Sequence, residues 1–179
     1  MQNCAEKLCF EFNNSAERLV DSLEYMLEHI AGNIPARADA EDILFKSKVI
    51  ITELLTNGIK HAGNNYTSFE IETYPDCLVI RKTDLGTPLY LVEPDHQPAL
   101  AGENKKLISA DMLNSLYAIW ESENHIRFAS EEGTFDEVLP VEQVMEHFGI
   151  LIITCSSDEF TYTYDKHTHS NTFRVQLIF

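Results

Sequence analysis

A chain of 179 residues fits one domain and can bury a core without disulfides or a structural metal. Its formal net charge of −16, from 29 acidic and 13 basic residues, disfavours nucleic acid or an anionic membrane as a direct partner. No apolar run approaches the roughly 18 residues that a spanning helix needs, and the opening MQNCAEKLCFEF has neither a basic region nor a continuous apolar stretch. A cytoplasmic protein without a secretory signal is therefore the expectation. Cys4, Cys9, Cys77 and Cys155 form no CxxC pair and read as reduced thiols, mostly core filler.

Lys7 to Phe12 alternates, which sets Leu8, Phe10 and Phe12 on one face of a strand. Asn14 and Glu17 have the spacing of a capping box for a helix carrying Leu19, Leu23, Met26, Leu27 and Ile30, ending near Gly32. Past Pro35, Asp39 can cap a second helix with Glu41 and Asp42 in its first turn and Lys60 and His61 in its last, matching the helix dipole at both ends. Gly63 is the expected left-handed stop. At about 1.5 Å per residue this helix is on the order of 33 Å long, the longest element expected.

Tyr66 to Tyr74 and Cys77 to Lys82 alternate around Pro75 and Asp76 as a β-hairpin, with Phe69, Ile71, Leu78 and Ile80 facing inward. The loop TDLGTPLYLVEPDHQP follows. Leu107, Met112, Leu116, Ile119 and Trp120 suggest a third helix over 104–122, and NHIRFAS a short strand. In VEQVMEHFGILIITCSS, Ile150 to Ile153 alone suits a buried strand, while Val141, Val144, Met145, Phe148, Leu151, Ile152 and Cys155 keep helical spacing; a helix is expected. Phe160 to Tyr164 and Thr172 to Phe179 close the chain as two strands around DKHTHSN. His167 and His169 in that loop lack the further ligands of a metal site. The sum is an α/β sandwich, a largely antiparallel sheet with helices packed on one face.

The second helix carries the polar chemistry. Four residues advance a helix by about 400°, so Glu53 and Asn57 lie about 40° apart, with Lys46 and Lys60 close to the same line. Ile50, Ile51, Leu54, Leu55 and Ile59 cover much of the remaining surface, as expected of a helix covered on several faces. A charged stripe of this kind usually faces water. Its other reading is a polar line opening onto a cavity. An Asn carbonyl can ligate Mg²⁺ without adding charge, a carboxylate one turn away can accept a proton, and a lysine can meet phosphate oxygens.

Glu53, Asn57, Lys60, His61 and Ala62, in that order, resemble the N-box of the GHKL (Bergerat-fold) ATPases, a family that includes histidine kinases, Hsp90-type chaperones and anti-sigma-factor serine kinases. Asp84-Leu85-Gly86-Thr87-Pro88 is similar to that family's second box. The closing segment, with Gly149 and the pair Asn171-Thr172, resembles its glycine box and last strand. The resemblance implies an α+β fold, a two-layer α/β sandwich of the Bergerat (histidine kinase-like ATPase) type. It implies one such domain over 1–179, with an elaborated lid segment at about 89–140.

By the same resemblance the cofactors are ATP and Mg²⁺. Asn57 would ligate Mg²⁺, and Lys60, Gly86 and Gly149 would line the nucleotide site. Asp84 would accept from the adenine amino group with Thr172 beside it, and Glu53 would deprotonate a serine hydroxyl. The implied protein is an anti-sigma-factor serine kinase whose partners are a sigma factor and an antagonist protein; a homodimer is admitted. The family's glycine box carries two or three glycines, whereas here His147 and Phe148 precede a single Gly149. Glycines there expose N–H groups to phosphates and a Phe would crowd them. The alternative is therefore an interaction module that has lost nucleotide binding.

Overall fold

The computed structural model describes residues 6–36, 39–91, 104–110, 113–133 and 147–179. Strand β1 (Glu6–Asn13) leads through a short 3-10 turn (Ala16–Arg18) into helices α1 (Leu19–Asn33) and α2 (Ala40–His61). Strands β2 (Tyr66–Thr73), β3 (Cys77–Leu85), β4 (Lys105–Ala110), β5 (Asn114–Ser122) and β6 (His125–Glu132) follow. Helix α3 (Phe148–Ser156) precedes β7 (Glu159–Asp165) and β8 (Ser170–Ile178).

The eight strands form one sheet in the order β1-β2-β3-β8-β7-β6-β5-β4, and every neighbouring pair is antiparallel. This overturns the expected two-layer Bergerat-type sandwich with helices on one face. The described residues are 44% strand and 34% helix, so one wide antiparallel sheet dominates. The difference comes largely from 104–122, where a helix was expected and two strands form. Leu116, Ala118 and Trp120 are buried at period two, and Leu107, Tyr117 and Ile119 supply apolar residues to the opposite face. A strand that is apolar on both faces imitates helical spacing over a short window.

Strand pleat decides which side chains meet. Leu78, Ile80, Lys82 and Asp84 share one face of β3, and the β3–β8 register sets them opposite Leu177, Val175, Phe173 and Asn171. Phe160 and Tyr162 continue this face on β7, and Ile126 and Phe128 on β6. Phe128 and Phe160 meet with ring centroids 4.8 Å apart and planes tilted by 32°. On the other face, Lys7–Glu70 and Arg81–Glu72 pair across strands at 3.1 and 2.6 Å. Helix α1 packs on β1, β2 and α2, while α3 packs on α2 and on β5 to β7.

Local expectations change as well. Helix α1 begins at Leu19 with no side-chain cap, because Asn14 is engaged elsewhere: its amide donates to Asn64 O at 3.0 Å and its carbonyl accepts from Thr67 Oγ1 at 2.8 Å. Helix α2 ends at His61 through an extended Ala62, so Gly63 is not a left-handed stop. It is a close-approach glycine: its N–H donates to Leu85 O at 2.8 Å, and a Cβ there would lie 2.8 Å from that same oxygen. Of the helix expected around 141–155, residues 141–146 lie outside the described residues. Cys77 is buried, but Cys9 and Cys155 are exposed and fill no core; Cys4 lies outside the described residues.

Gly58 does for the middle of α2's last turns what Gly63 does for its exit. A Cβ at Gly58 would stand 3.1 Å from Asn14 Oδ1 and 3.2 Å from Thr67 Oγ1, two atoms already tied to each other. That pair cannot part without losing its hydrogen bond. Gly58→Ala is accordingly expected to destabilise the fold by about 1–2 kcal/mol, overpacking outweighing alanine's better helix propensity. Urea denaturation checks the sign, since a stabilised variant would mean that the seam is slack.

Candidate functional site: a cavity between α2, β3, β8 and α3

A cavity of about 290 Å³ opens where the C-terminal half of α2 faces the ends of β3 and β8 and the start of α3. Its lining includes Asn57 and His61 from α2, Lys82 and Asp84 from β3, and Asn171 and Phe173 from β8. His147, Gly149 and Ile150 add the entry to α3, and residues 87–90 complete the rim.

The floor is a buried polar network. Lys82, 1% exposed, places Nζ 2.5 Å from Asp84 Oδ2, and Asp84 is 6% exposed. Asn171 donates its amide to Asp84 Oδ1 at 3.1 Å. The Tyr162 hydroxyl donates to Asn171 Oδ1 at 2.7 Å and accepts the Leu89 N–H at 2.8 Å. Phe173 presents its ring 4.9 Å from Lys82 Nζ. Burial pulls the Lys82 amine below the usual lysine range, with the Asp84 carboxylate opposing. Burial likewise pushes the Tyr162 hydroxyl up to about 12. Each partner fills hydrogen-bonding capacity that would otherwise be stranded away from water.

The residues named from sequence fall into two groups. Asn57, Asp84 and Gly149 line the cavity. Asn57 has no side-chain hydrogen bond among the described residues, although its amide borders the opening. Glu53 is half-buried, and its Oε2 lies 2.7 Å from where a Cβ on Gly149 would stand, so a larger residue there would displace the carboxylate. That position sets a carboxylate against the positive end of α3. Glu53 is not among the lining side chains.

Lys60 is exposed and outside the lining, where its neighbour His61 takes part. Gly86 holds the β3 exit to the turn before β8, its N–H donating to His169 O at 3.0 Å. Thr172 stands on the opposite face of the sheet, its Oγ1 3.2 Å from Thr83 Oγ1. Pairing puts Asn171, not Thr172, across from Asp84. Phe148 is 46% exposed and does not line the cavity, so the crowding expected of it does not occur. Lys105 pairs with Glu131 and Arg127 with Glu121, and neither cation lines the cavity.

Sequence reading missed Lys82, Tyr162 and Asn171 as members of the site. The signal was present in Leu78, Ile80, Lys82 and Asp84: a lysine two residues before the motif aspartate must share its face. Among the described residues no helix is long and apolar enough to cross a membrane, and no group of three or more His, Cys, Asp or Glu could hold a metal alone. No protein-family model matches the chain, and no curated protein matches it.

Proposed function

We propose that this chain is a nucleotide-binding regulatory protein of the cytoplasm, whose cavity takes a purine nucleoside triphosphate with Mg²⁺. The observation that carries the reading is convergence: Asn57, Asp84 and Gly149, from three motifs far apart in sequence, line one cavity. Asp84 supplies a carboxylate for an exocyclic amine, and Asn57 offers an uncommitted amide oxygen to a cation arriving with the phosphates. ATP is the nucleotide that the motif resemblance to the GHKL ATPases implies.

A sigma factor, a serine-bearing antagonist and phosphoryl transfer between them belong to the same resemblance. The geometry supports binding further than transfer, because Glu53 lies on the α2–α3 seam rather than in the cavity lining. A second reading, an interaction module without nucleotide, draws on Asp84, both of whose oxygens already accept from Lys82 and Asn171. Calorimetric titration with Mg-ATP separates the two. Binding is expected, weakened about tenfold or more in Asn57→Ala, the loss of one charge-assisted contact. No heat at millimolar nucleotide would leave the interaction module standing.

A further inference from the structure

The floor of the cavity holds one strong donor that the motif resemblance does not foresee. Lys82 sits two residues before Asp84 on the same face of β3, and its stem passes beneath α2 at Gly58, where Cε is 3.8 Å from the place a Cβ would occupy. A longer side chain at position 58 would close that passage. The ammonium carries three N–H groups, of which one serves Asp84 Oδ2. The face of Phe173 attracts the charge without consuming a hydrogen bond. Donor capacity therefore remains beside the carboxylate, in a residue that lines the cavity.

Resting on the nucleotide reading above, we infer that Lys82 is the second base-reading group of this site, donating to purine N1 while Asp84 accepts from the amino group next to it. An ammonium and a carboxylate side by side match the acceptor and donor that stand side by side on the Watson–Crick edge of adenine. Thr172, the residue the resemblance would place beside Asp84, is on the far face of the sheet and cannot take this part. Tyr162 has both its donor and its acceptor capacity engaged, by Asn171 and Leu89. Asn171 keeps one free N–H and is the competing donor. Lys82 is favoured over it because a charged donor in a water-poor site gives the stronger hydrogen bond.

The test compares ATP with its 1-deaza analogue, which lacks the N1 acceptor, on the wild-type chain and on Lys82→Met, by calorimetry with Mg²⁺. Wild-type protein is expected to bind the analogue about tenfold or more weakly, because a site built to hydrogen-bond one atom rejects a ligand without it. Lys82→Met should bind the two nucleotides alike. Equal affinity of wild-type protein for both overturns the inference while leaving the nucleotide reading intact. Equal discrimination by wild type and Lys82→Met also overturns it, and assigns N1 to Asn171. Failure of wild-type protein to bind either nucleotide removes the nucleotide reading itself, and the inference with it. Should Lys82→Met not fold, the Lys82→Met/Asp84→Asn pair, which buries no unmatched charge, takes its place; the wild-type comparison stands by itself.

Discussion

Lys82→Met is expected to lower the unfolding free energy by about 3–5 kcal/mol, the cost of stranding one member of a buried ion pair. Both members are nearly inaccessible, at 1% and 6% exposure, and Asp84 would keep only the Asn171 amide. Methionine fills the volume of the lysine stem, so the loss reports the charge rather than a cavity. Lys82→Met/Asp84→Asn should recover most of it, since removing both charges together leaves nothing uncompensated. Urea denaturation of the two single variants and the double variant measures the coupling. Additive losses would show that the two groups do not depend on each other.

Between pH 10 and 12 the protein should lose about 2–3 kcal/mol of stability through Tyr162, since each unit of pKa shift is worth about 1.4 kcal/mol. The sign follows from where the proton is held. Burial pushes the folded-state pKa to about 12 from an ordinary 10.0, so the unfolded chain ionises first. The stabilisation is whole below pH 10 and disappears as pH approaches 12. Lys82 acts in the opposite direction at lower pH. Its folded-state pKa is depressed below 10.5, so the folded protein releases that proton first and stability rises as pH climbs toward 10.5. Tyr162→Phe removes the alkaline decline attributable to this hydroxyl. Stability curves for the two proteins that stay parallel from pH 9 to 12 would rule the linkage out.

Phosphoryl transfer would require Glu53 to leave its present place. Its carboxylate meets the first turn of α3 at Gly149, a position that suits a seam between two helices.

Sequence alone was enough for the elements whose pattern is local. The β2–β3 hairpin, the α2 span with acid at one end and base at the other, and the last two strands each announce themselves in a window of about ten residues or a pair of charged ends. Asn57 and Asp84 were nameable for the same reason, as short motifs on those elements.

What only the tertiary structure decided is which faces meet. Residues 105–110 and 114–122 carry apolar side chains on both faces of their strands, and nothing local separates that pattern from a helix until the sheet is assembled. Among the described residues the assembled sheet has eight strands, and the sandwich expected from the motifs gives way to it. The site followed the same rule. A one-residue difference in strand register exchanges the two faces, so the choice between Thr172 and Asn171 as the partner of Asp84 belonged to the β3–β8 pairing. That pairing also brought together Lys82, Asp84 and Phe173 from segments about 90 residues apart, a distance over which no sequence period carries information.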